Sequence, residues 1–323
     1  MTASAPNVRQ LKPDLWLIDT LFQGEPGVIA SYLLTGPAGL ALVDVGSAAT
    51  LDTLLAGIRA TGHEPEQIEH ILLTHIHLDH AGATGPLLKH APYAQVHVHH
   101  IGAPHLINPE KLISSASRIY GEHMRRLWGE MLPVPEDHIS LLDEGSQVRV
   151  GERTLDVLYT PGHAIHHVAY HDPANSAVFP GDAAGVRLEG VSYVRPPTPP
   201  PDLNLEDWSS TIDRLRGLQA KSLYLPHFGP AAGSDEHFAE LDHRLHDWGA
   251  IVASGMREGR SDQQLANDLA AASDPEIAHA ADAPHASHDP EASRRYELAT
   301  NYLMSAQGYM RYYTKVHPEA LAR

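Results

Sequence analysis

The chain has no cysteine. That removes disulfides, thiolate metal sites and cysteine nucleophiles together, so any metal must be held by His, Asp, Glu or water. Basic residues are scarce: 23 Lys and Arg stand against 40 Asp and Glu, for a formal net charge of −17. Such a balance argues against a general nucleic-acid binder, whose affinity rests largely on neutralising phosphates. No apolar stretch approaches about 18 uninterrupted residues, so no membrane span is expected. The opening residues MTASAPNVRQLKPDLWLIDT lack a basic start followed by an apolar core, which makes the cytoplasm the expected location. With 323 residues, 42% of them hydrophobic, the chain can bury a sizeable core, as one large domain or one with an appendage.

What is present reads first as short strands. Leu15–Ile18, Ile29–Leu34 and Leu40–Val45 are apolar or alternating runs split by the turns GEPG and GPAG. Leu51, Leu54, Leu55 and Ile58 fall on one face of a helix. Ile71–Leu73 and Gln95–His99 resume strand character. Residues 110–131 carry Ile113, Tyr120, Met124, Leu127, Trp128 and Met131 at helical spacing, as a packed helix or as a lid over a pocket. Strands return from Gln147 in QVRV, TLDVLYT, HVAYH and AVFPG. RPPTPPPD (195–202) cannot be a helix or a central strand, because successive prolines remove backbone donors, and it reads as an extended crossing loop. Helices follow over Leu205–Leu218 and along Phe238, Leu241, Leu245, Trp248, Val252 and Met256. Residues 271–292, rich in Ala, Asp, His and Pro, read as a mobile link, and a last helix runs over roughly 292–315.

Straight after the apolar run at 71–73 comes THIHLDHAG, which places His75, His77, Asp79 and His80 within six residues. With 24 histidines in the chain, H-x-H-x-D-H arises by chance about once in a hundred such sequences, so the motif alone decides nothing. Three later stretches share one layout, an apolar strand stopped by Pro or Gly with a ligand just beyond: LYTPGHAIHH (His163), AVFPGDAAG (Asp182) and LYLPHFGP (His227). ALVDVGS offers Asp44 at a fourth strand end. Several strand ends delivering ligands to one rim is how a rigid sheet builds a site from distant sequence. One tetrahedral zinc needs three protein ligands plus water, and these seven imidazoles and carboxylates suit two metals. His97, His99 and His100 read as strand and rim residues, His167 as a core or supporting histidine, and Thr74 as a loop-fixing hydroxyl.

An Asp at a strand end, then H-x-H-x-D-H, then single His, Asp and His ligands in that order resembles the metallo-β-lactamase superfamily over residues 40–230. The resemblance implies an α/β fold, a four-layer αββα sandwich with metals along one edge of the sheets and, here, added C-terminal helices. It implies a catalytic domain over 1–230, with a helical insert at about 102–135, and a helical extension over 231–323 packed on it. His75, His77 and His163 would bind the first metal and Asp79, His80 and His227 the second, with Asp182 bridging and Asp44 orienting the ligand loop.

Two divalent ions, zinc by default with manganese or iron as alternatives, would then act through a metal-bound hydroxide, with Asp79 steering its proton. His77 stands where di-iron members of the superfamily carry glutamate, which favours hydrolysis over redox chemistry. Ala83 stands where glyoxalase II-like thioesterases and many lactonases show a second glycine, and the terminal basic motif of the former has no clear match. The expected reaction is hydrolysis of a small ester, thioester or lactone, with Tyr120, Met124 and Trp128 as candidate pocket residues. A phosphodiesterase of the same fold, or a metal-binding sensor with little turnover, are the alternatives. The expected partner is a small organic molecule, with no nucleic acid and no membrane, and homodimerisation is left open.

Overall fold

The computed structural model describes residues 7–36, 39–280 and 290–322. The chain divides into two compact units, Met1–Tyr159 with His166–Phe179, and Thr160–Ile165 with Pro180–Arg323.

The first unit begins as an antiparallel meander of β1 (Asn7–Lys12), β2 (Leu15–Asp19), β3 (Ala30–Gly36) and β4 (Gly39–Val43). Pairing then turns parallel through β5 (Ile68–Leu72), β6 (Gln95–His99) and β7 (Ile139–Leu142), giving a seven-stranded sheet in chain order. Parallel neighbours require crossover connections. Between β4 and β5 the crossover carries α1 (Leu51–Ala60), whose buried face is Leu54, Leu55 and Ile58. A side chain at Gly57 would place its Cβ 2.3 Å from Ile18 Cγ2, so this helix lies too close to the sheet for anything larger. The β5–β6 crossover carries α2 (Leu78–Ala81) and α3 (Thr84–Leu87), and the β6–β7 crossover carries α4 (Ala103–Ile107), α5 (Glu110–Tyr120) and α6 (Met124–Trp128).

A second antiparallel meander follows in the same unit: β8 (Gln147–Val150), β9 (Arg153–Tyr159), β10 (Val168–Asp172) and β11 (Ala177–Phe179). It faces the first sheet. The buried Tyr170 of β10 donates its hydroxyl to the Leu73 carbonyl at 2.8 Å, and Tyr32 of β3 meets Phe179 of β11 edge to face at 5.6 Å.

The second unit holds a hairpin, β12 (Ser222–Leu225) with β13 (Gly229–Ala232), and five helices: α7 (Leu205–Gly217), α8 (Asp235–Arg257), α9 (Asp262–Ala280), α10 (Pro290–Ala299) and α11 (Tyr302–Lys315). Its core sets Leu241, Leu245, Trp248 and Val252 of α8 among Leu265, Leu269 and Ile277 of α9 and Tyr309 of α11. Polar tips in this core find partners. Tyr309 donates to the Leu245 carbonyl at 2.6 Å, and the Trp248 indole to Ser273 Oγ at 3.1 Å.

Three sequence expectations change. Residues 110–131 are not one helix: α5 stops at Gly121, whose φ of 52° leaves the right-handed region, and a short 3-10 turn separates it from α6. Residues 271–280 belong to α9 rather than to a mobile link. Buried Leu265, Leu269, Ser273 and Ile277 recur every four residues, alanine favours the helix, and Pro275 sits on the exposed face. The remainder of that expected link, 281–289, lies outside the described residues. The last helix is two, because Asn301 accepts from the Met304 amide at 2.8 Å and starts α11 afresh. Strands β1, β7 and β13 carry no clear strand signal in the sequence. RPPTPPPD is neither helix nor regular strand, as expected. Among the described residues no helix is long and apolar enough to cross a membrane.

Arg195 is the most unusual core residue of the second unit. It is fully buried, with its guanidinium 3.7 Å from the Tyr302 ring centre and near Trp248 and Tyr296, and it donates Nη2 to Glu297 at 2.9 Å. Planar stacking and directed donation together suit Arg and not Lys. Arg195→Ala is expected to lower the unfolding free energy by about 3 kcal/mol, and Arg195→Lys to recover little of it. Denaturant titration followed by tryptophan fluorescence measures both.

Candidate metal centre

In the first unit the ligand loop is organised around Asp44. This residue follows β4 with a φ of 50°, a left-handed conformation that Asp tolerates better than most residues. Its Oδ1 accepts from the Thr74 amide at 2.8 Å, and its Oδ2 accepts from Thr74 Oγ1 at 2.8 Å and lies 2.9 Å from His80 Nδ1. A carboxylate only accepts, so His80 carries its proton on Nδ1 and keeps the Nε2 lone pair for another partner. The relay continues through Thr74. Its single hydroxyl proton goes to Asp44, so its oxygen accepts from His75 Nδ1, 3.0 Å away. His75 Nε2 therefore also presents a lone pair, and it faces His77 Nδ1 at 3.0 Å.

Local helix formation places the rest. His77 precedes α2, so Asp79 and His80 fall in that helix's first turn, with Asp79 Oδ2 3.5 Å from His80 Nε2. His75 and His80 are fully buried, while His77 and Asp79 are partly exposed. His167 packs its ring 4.9 Å from that of His75, and His166 stands edge-on to His77 at 5.6 Å. His166 was missed in the sequence; the doubled histidine after HAI was its one signal.

The second unit gathers His163, Asp182 and His227. Asp182 lies on a 3-10 turn, Gly181–Ala184, just beyond β11. His163 Nε2 is 3.5 Å from Asp182 Oδ2, and His227 Nε2 is 3.6 Å from Asp182 Oδ1, so the carboxylate turns one oxygen to each imidazole. His163 Nδ1 donates to the Pro197 carbonyl at 2.8 Å, which again leaves Nε2 as the lone-pair nitrogen. This gives the proline-rich stretch a role: a carbonyl in chain without regular structure is free to orient an imidazole.

Two residues that carried no sequence signal hold the Asp182 turn. Trp208 donates Nε1 to the Ala183 carbonyl at 2.9 Å, and His237 donates Nε2 to the Ala184 carbonyl at 2.8 Å. Gly162, at φ +124°, lets the His163 segment pass Trp208, where a Cβ would come within 2.4 Å of the Trp208 backbone.

A family model described as the metallo-beta-lactamase superfamily matches residues 24–227. The chain belongs to the metallo-β-lactamase superfamily. A solved metallo-beta-lactamase family protein from Thermus thermophilus superposes with a TM-score of 0.65 at 23% identity, covering 95% of each chain. The fold class is thus the αββα sandwich of that superfamily with added C-terminal helices, and the chain is a metallo-β-lactamase-fold hydrolase. Among curated relatives, a hydroxyacylglutathione hydrolase of Aeromonas salmonicida is 34% identical over 116 residues, 36% of this chain and 33% of that protein. An atrochrysone carboxyl ACP thioesterase of Aspergillus fumigatus is 25% identical over 228 residues, 67% of this chain and 59% of that one. The matches thus span a third and about three-fifths of those two proteins.

The donor set fits the divalent metals of this superfamily. It is all nitrogen and oxygen, and the outer nitrogens of His75, His80 and His163 are tied to protein acceptors, as ligating imidazoles require. The three candidate pocket residues differ in environment. Trp128 is 8% exposed, stacked on Phe22 at 5.3 Å and met by Tyr120 at 5.1 Å, while Met124 is half-buried. Burial pushes the Tyr120 phenol above its ordinary pKa, and the negative charge of Asp79 adds to the rise, so Tyr120 lies within electrostatic reach of the ligand loop.

Asp44→Ala frees the Thr74 hydroxyl and the His80 Nδ1 proton, and should weaken metal binding about 10–100-fold, read by chelator competition. The turn in the second unit has a different signature. His237 is buried and its pKa lowered to about 4, chiefly by desolvation. Below the ordinary histidine pKa of about 6.5 the unfolded chain takes up a proton that the folded chain refuses until about pH 4. Its contribution is whole above pH 6.5 and shrinks as pH falls through that window, by on the order of 3 kcal/mol. His237→Gln should flatten the dependence of denaturation midpoint on pH between 6.5 and 4.

Proposed function

We propose that the chain is a dinuclear metal-dependent hydrolase of a small thioester, ester or lactone, working in the cytoplasm with zinc. The observation that carries this reading is the Asp182 carboxylate, which offers one oxygen toward His163 and the other toward His227, an arrangement that suits a bridging ligand. His75, His77 and His163 would hold one ion and Asp79, His80 and His227 the other, with Asp182 as the shared ligand. Seven donors exceed the needs of one ion.

Two such ions supply Lewis acidity toward a carbonyl oxygen and a water activated near neutral pH. The chain's own groups do the rest. Asp44 and Thr74 fix the tautomers of His80 and His75, so both Nε2 lone pairs stay outward without reorganisation. Asp79, partly exposed beside His80, is placed to take the proton of an attacking water and to pass it to the leaving group. Tyr120, whose phenol stays neutral and near Asp79, can donate a hydrogen bond to a polar group of the substrate. Thioesters come first among the candidates because both named relatives, a hydroxyacylglutathione hydrolase and an acyl-carrier-protein thioesterase, have thioester substrates in their names.

The test is elemental analysis of protein purified without chelator, followed by thioester, ester, lactone and phosphodiester assays on the same preparation. At least two ions per chain and chelator-sensitive acyl hydrolysis are expected, with Asp182→Ala losing two ions together with activity. A value of one ion after supplementation, or an Asp182→Ala variant that keeps both, overturns the dinuclear reading; turnover of phosphodiesters alone overturns the substrate class.

A further inference from the structure

We propose that His99, His100 and Asp143 form an additional binding site for a divalent transition metal, apart from the seven donors above, at the ends of β6 and β7. The strands set it up. They pair in parallel with His99 opposite Leu142, and the His100 amide continues the ladder by donating to the Leu142 carbonyl at 3.1 Å. The chain therefore leaves both strands side by side, with His100 and Asp143 as adjacent first residues beyond the sheet. One donor atom from each of His99, His100 and Asp143 lies within 4.8 Å of the others.

A surface ion pair explains only part of this arrangement. His100 Nδ1 contacts the Asp143 carboxylate, and both side chains are at least half exposed, so the pair by itself contributes little to stability. His99 is different. It is 3% exposed, its ring lies flat on Tyr159 at 4.6 Å with 7° between planes, and its centroid is 4.4 Å from that of His100. Its Nδ1 is sealed from solvent with no hydrogen-bond partner among the described residues. Burying an imidazole without satisfying both nitrogens is unfavourable, and buried histidines without a partner call for a reason. An ion shared with His100 and Asp143 supplies one.

The chemistry narrows the ligand. Two imidazoles and one carboxylate suit zinc, nickel or copper, whereas calcium and magnesium prefer all-oxygen shells. Bound there, a cation takes the place of the proton that His100 and Asp143 share, and waters complete its shell. Because β7 is the edge strand of the seven-stranded sheet, the ion would clip that edge to its neighbour.

Full-length protein, stripped with chelator and dialysed to equilibrium against zinc or nickel, tests the site by counting ions per chain. His100→Ala and Asp143→Ala alter exposed side chains and should leave hydrolytic turnover unchanged. Each is expected to bind one ion fewer than the parent and to lose part of the metal-induced rise in Tm. Asp182→Ala should keep this ion while losing the others, which separates the two centres. The proposal fails if both His100→Ala and Asp143→Ala bind the same number of ions as the parent with the same isotherm.

Discussion

A single buried carboxylate, Asp44, sets the conditions for the ligand loop of the first unit. It receives three hydrogen bonds, two from Thr74 and one from His80. Each fixes a different quantity: the path of the loop after β5, the direction of the Thr74 hydroxyl, and the tautomer of His80. The Thr74 hydroxyl then fixes His75 in turn. One acceptor-only group thus dictates proton positions on two imidazoles, through a chain of donors with no freedom to reverse. Hydrogen bonds polarise one another in such chains, and the low local dielectric makes each broken link costly.

The second unit solves the same problem by different means. His163 is oriented by a backbone carbonyl, Pro197, and the Asp182 turn is held by an indole and an imidazole that reach its own carbonyls. Backbone acceptors do this well in proline-rich chain, where the carbonyls have no strand or helix partner to satisfy. Farther from the donors, Arg195 and the buried tyrosines give the helical core a polar interior in which directed bonds supplement apolar contact.

The candidate donors at 163, 182 and 227 leave a trace in sequence because each follows an apolar run stopped by Pro or Gly, whereas those at 75–80 follow such a run directly. Asp44 likewise stands directly at the end of an apolar run, GLALV. Trp208 and His237 leave no such trace: a tryptophan and a histidine on amphipathic helices look like ordinary packing, and only the fold reveals that their nitrogens meet the carbonyls of Ala183 and Ala184. Local composition also misled where it mimicked disorder. Residues 271–280 are poor in large apolar side chains, yet Ser273 and Ile277 continue the four-residue stripe begun by Leu265 and Leu269. In the opposite direction, the apolar spacing of 110–131 suggested one helix, and Gly121 divides it by a backbone angle that periodicity does not register. His166, whose ring stands edge-on to His77, was hidden by the abundance of histidine in the chain.

The path of the chain between the two units has a consequence for modularity. The six residues Thr160–Ile165 belong to the second unit, although the strands on either side of them, β9 and β10, belong to the first. The backbone therefore passes from one unit to the other three times, and His163 rides on the shortest of the excursions. No single cut in the gene separates the two, and recombination at one crossover point would leave either His163 or the strands that flank it in the wrong partner. Inheritance as a block follows from topology alone, whatever the chemistry of the centre.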